Sequence, residues 1–357
     1  MLKWVWKKGR GFADVVLFPL SLLSSLYGAA CRLRILFYEK RIFPRKRIDC
    51  HVVSVGNLTV GGTGKTPFTI FLAEKWREKG YSVGIISRGY RGTYKGPLLL
   101  VSDGERILEK VSSVGDEPYL IAQRLKGVPV IVSADRFKGA RWLLDHFKID
   151  VILLDDGFQH LRLHRDFNVL LIDAMNPIGN GYLLPRGALR EPLTEVRRAD
   201  VVVFTRSENG SDRAEWINEI ERFGRPCLRS AFRPSALIHL GNGSVRSPSG
   251  LAEGTVLSFC GIGNPDSFAR LLDGLGARVE ERISFGDHYA YQFSDFEKIR
   301  ERAKGIGAKW VVTTEKDAVK IKSWIPPDFD VWALQVEVVF WDDPQKWESL
   351  LLGNVKR

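Results

Sequence analysis

The chain has 357 residues, 45% hydrophobic and 27% charged, which allows two domains of ordinary size and excludes a disordered or fibrous protein. Its formal charge of +11 is concentrated in residues 1–47, with 11 Lys/Arg against 2 Asp/Glu, and the remaining 310 residues carry 42 against 40. A nearly neutral body argues against nucleic acid as a partner, and cysteines at 31, 50, 227 and 260 lack the paired spacing of a zinc site and suit a reducing cytoplasm.

The N-terminal segment (1–47) reads as "KKGR", an apolar stretch "FADVVLFPLSLLSSLYGAAC", then "CRLR". Asp14, Pro19 and the serines weaken a spanning helix. A lipoprotein-type signal is opposed by Gly28, which stands where Leu is usual. Basic flanks, Trp4 and Trp6 at an interface and one apolar face fit a helix lying on an anionic membrane surface. The alternative is a helix packed on the protein's own core.

"HVVSVGN" (51–57) follows as a buried strand, then "LTVGGTGKTP". Thr59, Val60, Gly61, Gly62, Thr63 and Gly64 lead into Lys65 and Thr66, and the next residues place Phe68, Phe71, Leu72 and Trp76 on one helical face. A strand, a glycine-rich turn and a helix N-terminus form an anion nest of free N–H groups. Lys65 is placed to reach outer phosphates and Thr66 to ligate Mg²⁺, so the loop points to ATP. Thr59 stands where the usual pattern has its first glycine.

Further strands are expected at 82–87, 97–102, 128–133, 150–155, 168–173 and 201–205, with helices at 117–127 and 136–148. Near-continuous Val/Ile/Leu strands alternating with helices predict a mostly parallel sheet with helices on both faces, with ligands at the C-terminal strand ends. "SRGYRG" brings Arg88 and Tyr90 to such an end, and "SADR" and "LLPRGALREP" add Arg136, Arg190 and Glu191. "SVGDEPYL" sets Asp116 at a helix start, as a capping residue and as a candidate base for a substrate hydroxyl. "VILLDDGFQH" runs into Asp155 and Asp156, the carboxylates a phosphate-loop protein needs for Mg²⁺, with Gln159 and His160 at the same rim. Adjacent carboxylates on an extended backbone point to opposite sides, so one is expected to serve the metal and the other a neighbour.

After Arg206 come a polar helix-like linker, a hairpin or ribbon at 233–250, and a smaller α/β unit from 255 to 340. The domains read are 1–47, 48–208 and 209–357. "FGDHY" brings Asp287 and His288 from the last of these, where His288 follows a strand and would need to face the cleft. A membrane-associated switch or positioning ATPase is the alternative function. Its signature lysine would stand at Val60, and "TRSE" (205–208) only approximates a guanine reader.

Taken together, "SVGNLTVGGTGKTP", "ISRGYRG", "VGDEP", "SADR", "ILLDDGFQHLRLHRD", "LLPRGALREP", "CGIGNP" and "FGDHY" resemble the tetraacyldisaccharide 4'-kinases of lipid A biosynthesis. Thr59 agrees with that family's [TS]-x-G-G-x-G-K-T form. The resemblance implies a P-loop NTPase-like α/β fold with a second smaller α/β domain. It implies transfer of the ATP γ-phosphate to the 4'-hydroxyl of an acylated disaccharide lipid. It also implies a peripheral or monotopic enzyme on the cytoplasmic face of the bacterial inner membrane. By matching motif, Lys65 and Thr66 hold phosphates and Mg²⁺, Asp116 is the base supported by His288, and Asp155 and Asp156 serve the metal; because His288 comes from the other domain, its pairing with Asp116 is then expected to require closure of a cleft between domains. Arg88, Tyr90, Arg136, Gln159, His160, Arg190 and Glu191 line the substrate and phosphate region.

Overall fold

The computed structural model describes residues 17–207, 214–326, 329–353 and 355. The basic and Trp-containing start of the N-terminal segment, Asp14 included, lies outside them. By its contacts the chain divides into two compact units: 1–88, 133–231 and 339–357 form the first, and 89–132 with 232–338 form the second. This differs from the linear division at 208/209, because 89–132 groups with the C-terminal half and 339–357 returns to the first unit.

In the first unit, helix α1 spans Phe18–Glu39, with Pro19 in its opening turn where a missing N–H costs nothing. Its buried positions are Ser24, Gly28 and Ile35, and polar side chains beside them anchor the helix. Ser24 Oγ donates to Leu183 O (2.8 Å), Tyr27 Oη to Arg190 O (2.8 Å), and Arg34 Nη2 to Gln159 O (3.1 Å). A Cβ on Gly28 would sit 2.7 Å from Leu183 Cδ1, so a larger residue there would require that side chain to shift. The outer face is apolar: Phe18 is 67% exposed, Leu22 57% and Leu26 60%. Among the described residues, α1 is the one helix long and apolar enough to cross a membrane.

Strands β1 (His51–Asn57) and β2 (Val83–Ser87) flank helix α2 (Lys65–Glu78) in sequence. After helix α3 (Arg136–His146) come β3 (Val151–Asp155), β4 (Phe167–Asp173), β5 (Val201–Thr205) and β6 (Cys227–His239), which begins in this unit. All pair in parallel in the order β6-β5-β4-β1-β3-β2. Every residue of β1 after His51 is buried, as expected of a central parallel strand. Phe68, Phe71, Leu72 and Trp76, the face read from the sequence, are all buried. Phe71 packs on Phe340 and Trp347 of the returning C-terminal segment.

The second unit carries a smaller sheet. Strands Thr255–Cys260, Arg278–Ser284, Trp310–Thr314 and Val331–Phe340 pair in parallel, and β6 turns back on Val245–Arg246 as the expected hairpin. Val256 and Cys260 enter one hydrophobic cluster and Leu257 and Phe259 another, the alternation of a strand covered on both faces. Within this unit, helix Asp116–Arg124 is tied to helix Glu315–Ile321 by Arg124–Glu315 (2.6 Å).

Candidate functional site

The phosphate loop leaves β1 at Asn57 and enters α2 through Gly64, whose φ of 82° lies in the left-handed region that suits glycine. Neighbouring chain braces it on both sides. Val60 N donates to Ala188 O, and Arg190 N donates to Leu58 O, each at 2.7 Å. Thr205 Oγ1 donates to Thr63 O (3.0 Å) and Arg206 Nη2 to Gly62 O (2.6 Å), with Arg206 held by Asp173 at 2.5 Å. Thr205 and Arg206, set aside in the sequence as a poor guanine reader, therefore support the loop. A Cβ on Gly61 or Gly62 would meet nothing within 4 Å, so the loop is open where an anion would approach. Lys65 Nζ donates to Asn57 Oδ1 (3.3 Å) and stands 3.7 Å from Asp156. Thr66 is buried in the first turn of α2.

The two adjacent aspartates take different partners, though not by the strand alternation expected of them, because β3 ends at Asp155 and Asp156 lies outside it. Asp155 is 1% exposed and accepts from Thr69 Oγ1 (3.2 Å) and Ser87 Oγ (3.3 Å). Asp156 leaves the strand with φ 53° and accepts from Arg190 Nη1 at 3.0 Å on each oxygen. Burial works to raise the Asp156 carboxyl, but Lys65 and Arg190 outweigh it and hold the group below the ordinary carboxylate range. A hydroxyl and carboxylates are the hard oxygen donors that Mg²⁺ accepts alongside substrate phosphates. Thr66, Asp155 and Asp156 supply donors of that chemistry, and Thr63 Oγ1 is buried without a hydrogen-bond partner among the described residues.

Arg136 and His160 share this unit. Arg136 is buried, donates to Ser133 O (3.1 Å), and leaves Nε unpaired; burial lowers it to about 10 against the pull of Asp156. Burial, reinforced by Arg136 and Arg165, brings His160 down to about 4, so it is neutral at pH 7. Gln159 Nε2 donates to Asn57 O (2.9 Å) and Glu191 (3.2 Å). Glu191 is buried, paired with Arg198 and bonded by Gln159, so its carboxylate is satisfied within the protein. Arg88 is exposed at the end of β2. Arg165, which the sequence reading passed over, donates to Gly157 O and Phe158 O and holds the turn after Asp156.

The remaining residues gather in the second unit. Asp116 is 5% exposed, and both its oxygens lie 3.0 Å from His288 Nδ1. Gly115, not Asp116, is the N-cap of its helix, so the expected capping does not occur and the carboxylate is turned to His288 instead. Burial acts to raise the Asp116 carboxyl, yet the His288 hydrogen bond and Lys316, 3.9 Å away, leave it below the usual range. The expected need for a domain closure is overturned: Asp116 and His288 belong to one compact unit and are already bonded. Tyr90 packs edge-on to the His288 ring (5.3 Å). Lys316, unnoticed in the sequence, reaches His288 Nε2 at 3.1 Å.

A parallel α/β sheet whose first strand feeds a glycine loop and a Lys-Thr helix start, with a carboxylate pair ending a neighbouring strand, defines a P-loop NTPase-like protein. The family model described as tetraacyldisaccharide-1-P 4'-kinase matches residues 16–356. The tetraacyldisaccharide 4'-kinase of Syntrophus aciditrophicus is 41% identical, over 94% of this chain and 92% of that protein. That of Desulfatibacillum aliphaticivorans is 40% identical with the same coverage. The crystal structure of LpxK from Aquifex aeolicus in complex with ATP superposes with a TM-score of 0.75 at 34% identity, covering 96% of this chain and 99% of that one. The chain belongs to the tetraacyldisaccharide-1-P 4'-kinase family and is an ATP-dependent kinase of lipid A biosynthesis. That membership does not favour the switch-ATPase alternative.

Proposed function

We propose that residues 59–66 cradle the phosphates of ATP, that Lys65 neutralises charge on the transferred group, and that Thr66 with Asp155 and Asp156 serves Mg²⁺. The observation that carries this reading is the meeting of Lys65 and Asp156 beside a loop open at Gly61 and Gly62. Bound Mg²⁺ supplies charge neutralisation at the phosphate oxygens. The acceptor is the 4'-hydroxyl of a tetraacylated disaccharide 1-phosphate, with Arg88, Tyr90, Arg136, Gln159, His160 and Arg190 on the substrate and phosphate side and Glu191 bonded by Gln159. The hydroxyl oxygen bonds to the γ-phosphorus, the bond from that phosphorus to the bridging oxygen of ADP breaks, and the hydroxyl proton passes to the Asp116–His288 pair. Catalysis then rests on positioning and charge, since a sugar hydroxyl needs only a well-placed acceptor for its proton.

The apolar outer face of α1 supports docking on anionic lipids at the cytoplasmic face of the inner membrane, where an acylated acceptor resides. Incubation with γ-labelled ATP and a panel of lipid acceptors tests the activity. Label on the acylated disaccharide is expected, and label released only as free phosphate would overturn the kinase reading.

A further inference from the structure

The acid–base pair has a third member that no motif announces. His288 Nδ1 faces the Asp116 carboxylate at 3.0 Å and Nε2 faces Lys316 Nζ at 3.1 Å. An ammonium has three donors and no acceptor, so Nε2 must offer its lone pair and the ring proton must sit on Nδ1. Lys316 is held as an ammonium by Glu117 (3.1 Å), with Asp116 and Asp287 each at 3.9 Å. Burial opposes its charge, but those carboxylates raise it above an ordinary lysine.

We propose that Lys316 is a positioning residue that keeps His288 neutral, in the Nδ1–H tautomer bonded to Asp116, until the acceptor hydroxyl arrives. The inference rests on the reading of Asp116 and His288 as the proton acceptor. The groups around the ring settle the direction of the effect. Helix Asp116–Arg124 presents Asp116 and, through Lys316, Glu117. The ring's own loop presents Asp287, 3.9 Å from Nε2. Helix Glu315–Ile321 presents Lys316 and, further off, Lys320, which pairs with Asp317. The 89–92 segment presents the uncharged Tyr90 ring and Arg91, whose guanidinium is engaged by the carbonyls of Asp287 and His288. Lys316 is thus the cation that meets the ring nitrogen. Without it, the ring lies between Asp116 and Asp287, and a proton taken from solvent onto Nε2 fills the pair before the substrate does.

The test compares kcat/KM for the lipid acceptor against pH in the full-length enzyme and in Lys316→Met, Lys316→Arg and Asp116→Asn. In Lys316→Met the acid limb should move up by about one pH unit or more, the scale set by a charge within contact distance. Lys316→Arg, which keeps the charge, should return it toward the wild-type position. ¹⁵N spectra of labelled histidine, with His288 identified by its loss in His288→Gln, should show a protonated Nδ1 and bare Nε2 at pH 7. Both nitrogens should be protonated in Lys316→Met. An unchanged acid limb with unchanged nitrogen shifts in Lys316→Met would overturn the role of Lys316. Undiminished kcat/KM in Asp116→Asn would instead overturn the acid–base reading on which it rests, while the nitrogen shifts still report whether Lys316 sets the tautomer.

Discussion

Asp116→Asn removes a charge and almost no volume, so it isolates what the carboxylate does. The amide Oδ1 still accepts from His288 Nδ1–H and from Glu117 N, which now donates to Asp116 at 3.2 Å. What is lost is the negative charge facing the imidazole at 3.0 Å and Lys316 at 3.9 Å in a position only 5% exposed. Weakening a hydrogen bond to a charged group in such a site should cost about 1–3 kcal/mol of stability, and the fold should survive. Removing the proton acceptor should cut turnover by about 10²–10⁴. ATP affinity should stay near wild type, because the phosphate loop is built from other residues. Steady-state kcat and acceptor KM, with ATP binding by calorimetry, separate these quantities. Combining Asp116→Asn with His288→Ala should be little worse than Asp116→Asn alone, since residues that act as a unit are non-additive. Turnover at saturation that holds while ATP–Mg²⁺ binding weakens would refute the reasoning and move Asp116 to the metal side. Losses that multiply would show that His288 acts independently.

Lys65→Ala should abolish product formation, because its charge stabilises the transferred phosphoryl group by several kcal/mol in a water-poor site; near-normal turnover would contradict the phosphate-loop assignment. Leu22→Glu with Leu26→Glu should reduce sedimentation with anionic vesicles while thermal stability changes little, since both side chains are more than half exposed. Unchanged sedimentation would assign α1 to the protein alone. Asp116 and Asp156 are both depressed in the fold. Each therefore adds stability above the unfolded carboxyl value near pH 4, and that contribution disappears as pH falls through the lower folded values. Urea unfolding should be nearly level from pH 7 to about 5 and weaken below about 4. Asp156→Asn should flatten that acid slope, and a slope identical to wild type would exclude Asp156 as its source.

The local devices of this protein were legible in its sequence. A buried strand, a glycine loop and a Lys-Thr helix start are contiguous, and "VILLDDGFQH" carries strand, carboxylates and turn in ten residues. Backbone geometry of that kind is dictated by neighbours in the chain, which is why the buried face of α2 is readable from residue spacing alone. The tertiary structure decided the rest. It anchored α1 through Ser24 and Tyr27, which find their acceptors about 160 residues away. It buried Glu191 against Arg198 and brought Arg206 to the phosphate loop. It assigned 89–132 to the same unit as 232–338, placing Asp116 beside a histidine 172 positions further on and a lysine 200 positions further on. Such partners share no period and no spacing. Burial makes them meet, because a charge taken out of water must find its counterpart wherever the folded chain supplies one.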